Sequence, residues 1–493
     1  MKFPDTFNSS PLGLIPSSVT SLTFGNDYNI DLEEHVLPSH SIICLTFGNS
    51  YNRPLVRGSI PPSIQYLTFG SSFNQRIVPG TLPNNLLYIN FGDSFNQRLE
   101  EGMIPPNTSH IKFGDSFNQK LNNRGSIPKS VKKIVFGKQF NSSIFPSVLP
   151  EGLLHLEFGL NFNQPLLPSS IPSTVRRLFF SHHFDQHISR ENLPESVQVL
   201  TLGKMFSMKL STDTLPQNIK HLVFGTYYNR DLGIGVIPDS VTNLELGDDF
   251  NKQLKPGVIP DSVRSISFGY SFNQNVEGCL PPNLEYLSCS SNLYKNLTAQ
   301  MLPKTLTHIS VDDLFDIPLN GPHTIPDTVT HLTLGQSFNK SLYLFSLRNL
   351  VYLKLGKCYN QPLTHESLPQ NLRHLEFGDN FNQVISKSIL KEGLEWLEFG
   401  NNFNLPLEIG SIPSSVKHLG FSNSFNQAIF KGILPINLNS LIFGNSFSGY
   451  ISDDIVPPSV NFISLPSHFP RYKIGDRVYK TVLIKFQDKN LKI

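Results

Sequence analysis

Apolar residues recur along the chain in a short alternation that returns about every 22 residues. One unit, from residue 61, reads PPSIQYLTFGSSFNQRIVPGTL: a proline turn, a short apolar run, a glycine, an aromatic followed by asparagine, and a return rich in glycine and proline. Anchored on the proline of the IP or LP dipeptide, twenty-one units run from Pro16 to Pro457, with Arg348 and Lys391 replacing two of the prolines. Fifteen of the twenty intervals share one length and the others differ from it by a single position, so the register never slips far. Within each unit a Leu or Ile, present in all twenty-one, precedes by two residues a position that is Phe in fourteen. A period of two places both side chains on one face of a strand, which predicts one short strand per unit. Two further columns belong to the expected core. The residue three before that leucine is apolar except at Thr108, and the third residue after the glycine is aromatic except at Leu293. Proline and glycine in the return predict an extended or turn-like path in place of a helix.

A unit this small cannot bury its own apolar columns, whereas stacked units share one core. At roughly 1.5–3 kcal/mol per large buried side chain, four such columns offset much of the entropy of ordering each turn. Isolated units are therefore not expected to fold. The stacking reading also accounts for the composition, since 31 of the 38 phenylalanines occupy two columns and require no ligand to explain them. The glycine after the Phe suits a tight turn out of the strand, with Ser181, Ser290, Ser422 and Asp312 among its replacements. Asparagine after the next aromatic, as at Asn74, Asn118 and Asn382, is suited to bonding the backbone of the neighbouring turn.

The repeat resembles the FNIP repeat family on residues such as FNQPL at 162–166 and YNQPL at 359–363. It is also similar to leucine-rich repeats, with LxxLxF in LPQNLRHLEFGDNFNQVI (368–385) where those have LxxLxL. The resemblance implies a mostly β, curved solenoid of about 21 units with one long parallel sheet on its concave side. A parallel β-helix with a second strand at FNQPL is the alternative. Residues 1–465 form the repeat array, and 466–493 a non-repeat basic segment that caps the last turn or docks an acidic partner. Some family members look like F-box proteins with the repeat as substrate-binding arm, so the resemblance implies a recognition role. With the repeat beginning at Phe7, no such second portion is expected before it.

Charge narrows the partners. A net charge of +2 with only 16% charged residues excludes a nucleic-acid binder driven by bulk charge, so recognition must lie in local patches. The four cysteines, Cys44, Cys279, Cys289 and Cys358, form no CxxC pair, which points to a reducing compartment. No apolar stretch resembles a signal peptide or a membrane span, and a cytoplasmic location follows as the expectation. No catalytic or phosphate-loop motif occurs, and no cofactor is implied.

Two patches carry candidate binding chemistry. The residue just before the strand leucine faces away from the core, and in consecutive units it reads Tyr286, His308, His331, Tyr352, His374, Trp396 and His418. Turns about 5 Å apart would stack these into an aromatic and imidazole ridge. Mutual stacking on a solvated sheet, a protein-binding surface with His374, Trp396 and His418 as anchors, and metal binding at His308 and His331 all remain open for it. Earlier in the chain Lys132, Lys133, Arg176, Arg177, Lys220 and Arg264 gather beside Val135, Phe179 and Val223. That patch is either solvated charge or a seat for an acidic or phosphorylated segment. The functional expectation is a non-enzymatic scaffold that binds a protein partner, with a self-assembling structural solenoid or a metal-dependent protein as the alternatives.

Overall fold

The computed structural model describes residues 1–121, 125–319 and 325–487; the end of the basic segment, 488–493, lies outside the described residues. The chain forms two compact units, Met1–Val263 and Arg264–Ile493. In the first, eleven three-residue strands run from Ser21–Thr23 to Asn243–Glu245, each parallel to the next. In the second, eleven more run from Ser265–Ser267 to Leu483–Phe486 with the same parallel pairing. The register is that of the repeat: Tyr66, Leu67 and Thr68 lie opposite Tyr88, Ile89 and Asn90. The fold is therefore the expected mostly β solenoid. The β-helix alternative is not what forms, because the described residues of FNQPL at 162–166 contain no strand.

The strand leucines, from Leu22 to Leu441, are at most 3% exposed. Behind them the aromatic side chains make two columns of rings, the one two residues after the leucine interrupted where residues such as Leu202, Leu246 or Cys289 stand in place of Phe. Phe69 stacks on Phe73 of its own turn at 3.9 Å and on Phe47 of the preceding turn at 5.5 Å. Phe73 in turn stacks on Phe95 at 6.2 Å. Each stacked pair contributes roughly 0.5–1.5 kcal/mol beyond its burial.

The glycine after the Phe has a different reason from the one its position suggests. It begins a turn, with the Phe73 N–H donating to the Gly70 carbonyl at 3.3 Å, but its φ is not positive. A Cβ on Gly70 would lie 1.9 Å from the carbonyl oxygen of Gly48, and the same holds from Gly48 to Gly25 at 1.8 Å. At these glycines successive turns thus touch backbone to backbone, leaving no room for a Cβ in that geometry. Where serine replaces the glycine, its hydroxyl bonds the carbonyl of the previous turn's buried aromatic, as Ser290 does to Phe272 at 3.0 Å and Ser422 to Phe403 at 2.7 Å. The glycines that adopt positive φ lie in the return, such as Gly80 at +81°.

The asparagines close the rim of each turn. Asn74 Oδ1 accepts from the Asn96 N–H at 2.9 Å and from Gln97 Nε2 at 3.0 Å, while the Asn74 N–H donates to Asn52. Where the asparagine is present, as at Asn52, Asn74 and Asn96, such bonds pass from one unit to the next and satisfy backbone that the irregular return leaves unpaired.

Three places depart from the pattern. At Leu293 the chain makes one helical turn, Ser291–Tyr294, capped by Ser290, and Tyr294 fills the aromatic slot edge-on to Phe315 at 4.8 Å. Thr108 is fully buried in an otherwise apolar column, and among the described residues its hydroxyl has no partner. From residue 466 the segment adds a short helix, Asp476–Thr481, held by Asp453 through the N–H groups of Arg477 and Val478. Its strand Leu483–Phe486 then pairs with Phe462–Leu465. No helix of the described residues is long and apolar enough to cross a membrane.

Two substitutions test this account. Gly70→Ala is expected to cost more than about 3 kcal/mol, since backbone must move. Gly80→Ala, with nothing within 4 Å of the new Cβ, should cost only the roughly 1–2 kcal/mol of left-handed strain. Equal losses on urea unfolding would show that conformation, not close approach, selects the glycine. Thr108→Val should raise stability by about 1 kcal/mol by removing the unpaired hydroxyl; a lower melting temperature would contradict this.

Candidate functional site

Because side chains alternate along each strand, the residue before the strand leucine points outward, and stacking the turns lines these residues into one column. In the second unit all seven ridge residues come together. Ring centroids run Tyr286–His308 6.1 Å, His308–His331 4.1 Å, His331–Tyr352 5.4 Å, Tyr352–His374 4.6 Å, His374–Trp396 5.3 Å and Trp396–His418 3.5 Å. Burial along the column is uneven: Tyr286 and Trp396 are 38% and 36% exposed, whereas His418 is 8% exposed. The expected ridge thus exists as a continuous stack, with Trp396 an open ring near one end.

Its polar edges are held. Thr307 and Thr330 hydroxyls lie 2.8 Å from Nδ1 of His308 and His331, respectively. Glu376 receives Tyr352 Oη at 2.8 Å, His374 Nε2 at 2.9 Å and Lys354 Nζ at 2.7 Å. The bond to His374, followed by those to Lys354 and Tyr352, holds the Glu376 carboxyl down at about 2 against the burial that raises it. Burial first, then the same bond to Glu376, pushes the Tyr352 phenol up. Partial burial, followed by the charges of His308 and His374, pulls the His331 imidazole below its ordinary value. Among the described residues no group of three or more His, Cys, Asp or Glu side chains is gathered to hold a metal ion.

Two depressions flank the ridge. A groove of about 720 Å³ runs over Ser310, Thr333, Lys354, Glu376 and Glu398, bounded by the turn residues Asp313, Gln336, Asp379 and Asn401. A shallower recess of about 420 Å³ lies over Arg373, His374, Glu395, Trp396, Lys417 and His418. Around it the residue two before the strand leucine alternates in charge: Glu395 pairs with Lys417 at 3.0 Å and with Arg373 at 3.8 Å. Arg264 likewise pairs with Glu285 at 2.6 Å, so it belongs with these compensated cations.

The basic patch lies on the first unit. Lys132, Arg176, Arg177 and Lys220 are exposed and Lys133 half-buried. Arg177 sits over its strand neighbour Phe179 at 5.7 Å, and His155 stacks on the same ring at 5.1 Å. Glu157 lies 3.6 Å from His155, an ionic contact longer than a hydrogen bond. His155 first, then the charges of Lys133 and Lys112, lowers the Glu157 carboxyl despite its partial burial.

Sequence reasoning placed both patches but missed their contrast. The signal was present in the column two before the strand leucine, which carries Glu285 and Glu395 in the second unit and no acid between Lys132 and Lys220 in the first. The threonines that orient His308 and His331 were also missed; each immediately precedes its histidine.

The FNIP Repeat family profile matches from residues 7–50 through 425–468 in overlapping windows, leaving 338–358 outside. No curated protein matches the chain by sequence. The fold is similar to the crystal structure of CroV588, described as a novel circular LRR protein, with TM-score 0.62 and 28% identity over 96% of this chain and 86% of that one. YopM from Yersinia enterocolitica matches over 95% of this chain and 88% of its own at 16% identity and TM-score 0.38. A chain of the Toll–Spatzle complex of Drosophila matches over 91% and 80% at 14% identity and TM-score 0.41.

The Glu376 network makes a pH prediction. Its carboxyl titrates at about 2 in the folded chain against an ordinary 4.5, so its contribution is complete above pH 4.5 and is lost as pH falls towards 2. Glu376→Gln should lower the melting temperature at pH 7 and narrow its difference from the parent as pH drops through that window. His331, whose neutral form is favoured, should add a loss in both proteins as pH falls below about 6.5. A pH-independent gap between parent and variant would contradict the network.

Proposed function

The chain belongs to the FNIP repeat family, and on that premise we propose that it is a non-enzymatic recognition solenoid that binds a protein partner across the ring ridge of its second unit. Repeat solenoids of the leucine-rich-repeat kind present one row of side chains per turn and commonly bind proteins with that row. The observation that carries the reading is the stack from Tyr286 to His418 with Trp396 open at its surface. Large rigid rings beside paired charges have the composition of interaction hot spots, and stacking fixes their rotamers before a partner arrives. The groove beside the ridge adds polar groups that give register to a bound segment. His374, Trp396 and His418 are the anchors of this reading, with Tyr286, His308, His331 and Tyr352 extending the contact.

Trp396 is the only tryptophan of the chain, so its emission reports on the ridge directly. Proteins retained from native lysate by the full chain are expected to shift that emission when added back purified, and to bind Trp396→Ala at least tenfold more weakly, about 1.4 kcal/mol. Partners that bind without changing the emission and without regard to the substitution would overturn this site.

A further inference from the structure

The two units carry the same outward columns, with compensated charge in the second and uncompensated cations in the first. In the second unit, Arg264, Lys354, Arg373 and Lys417 each pair with a glutamate on the sheet face. In the first unit, Lys132, Lys133, Arg176, Arg177 and Lys220 pair with no carboxylate among the described residues. The sheet-face acids near them, Glu157 and Glu245, make their close contacts with His155 and His221 at 3.6 Å and 2.8 Å, and Glu157 feels Lys133 and Lys112 only at longer range. Lys112 adds a sixth cation on the same face. Unpaired like charges repel at this separation, and the fold keeps them without the neutralising partners that the same columns hold elsewhere.

Their placement is regular. The strands His110–Lys112 to His221–Val223 pair in unbroken parallel register, so Lys132 and Lys133, Arg176 and Arg177, and Lys220 fall on every second turn. At about 4.8 Å per strand the three cationic clusters lie roughly 9.6 Å apart. The turns between carry Leu154, 39% exposed, and the half-buried Val199, while Val135, Phe179 and Val223 stay partly open beside the cations. A polyproline II segment rises about 3.1 Å per residue and returns to the same face every third residue, or roughly 9.3 Å.

We propose that this strip binds an extended acidic protein segment with a carboxylate at every third residue and apolar side chains between, independently of the ridge on the second unit. The carboxylates meet the three clusters, and the intervening apolar side chains cover Leu154, Phe179 and Val199. Arginine at the central turn suits this, since each guanidinium grips a carboxylate through two parallel hydrogen bonds. Nucleic acid is the less favoured occupant, because its phosphates would leave the apolar positions between the clusters without a partner.

The test uses the full chain and a fluorescein-labelled (Glu-Pro-Leu)4 peptide, read by anisotropy at 50 and 300 mM salt. Binding should weaken at least tenfold in Arg176→Glu/Arg177→Glu, and separately in Lys132→Glu/Lys133→Glu, with the unfolding curves of both unchanged. It should fall at the higher salt and be absent for (Lys-Pro-Leu)4. Trp396 emission should not respond, so failure here is distinguishable from failure of the ridge. Equal binding by the charge-reversed chains overturns the proposal, as does equal binding of (Glu-Pro-Gly)4, which removes the apolar half of the argument. A single-stranded oligonucleotide of equal charge that displaces the peptide from the strip at lower concentration would assign the surface to nucleic acid instead.

Discussion

The structure depends on how closely one turn approaches the next. The glycine that follows most of the strands lies against the carbonyl of the equivalent residue one turn earlier, at a separation that leaves no space for a methyl group. That contact fixes the rise per turn close to the spacing of paired strands, and the rise in turn fixes everything stacked on it. The regular spacing of rings along each aromatic column is the consequence, 5.5 Å from Phe47 to Phe69 and 6.2 Å from Phe73 to Phe95. Asparagine amides come within reach of the next turn's N–H for the same reason. Each interaction is modest. Repetition through every unit, with each turn satisfied by its neighbours, converts them into a fold with little regular secondary structure beyond three-residue strands.

The same spacing turns a single sequence position into a surface. One residue per unit, displayed outward at about 4.8 Å intervals, becomes a continuous row whose chemistry is the list of residues at that position. Rings in successive units stack into a ridge; cations in alternate units become evenly spaced charges. Neither surface requires a loop insertion or a separate domain, because both lie on the regular part of the fold. The charges are then distinguished by their neighbours. A lysine opposite a glutamate in the next turn is neutralised in place, and one opposite leucine or glutamine is not.

Irregular units show which constraints are strict. Serine replaces the close-approach glycine where its hydroxyl bonds the carbonyl of the turn behind it. A helical turn at Ser291–Tyr294 replaces the usual loop but still delivers an aromatic ring into the core slot. Ring position and backbone satisfaction are preserved while the path between them changes, because loss of either would leave a void or an unpaired polar group inside the stack.

The period of two within a unit and the longer period between units determined, from the sequence alone, the strands, their parallel pairing, the ring columns and the outward row of Tyr, His and Trp. Those are consequences of spacing, and spacing is visible in one dimension. The solenoid reading left the function of the Phe-Gly glycine to turn geometry; only the packed structure showed that contact between turns, and not φ, excludes a side chain. The ionisation of Glu376 was likewise decided only in the packed structure, by its bonds to Tyr352, His374 and Lys354. Whether a cation on the face is paired or bare depends on both, since a glutamate must stand in the neighbouring turn and the packed register must bring it within reach, as Glu395 is for Lys417 and Arg373.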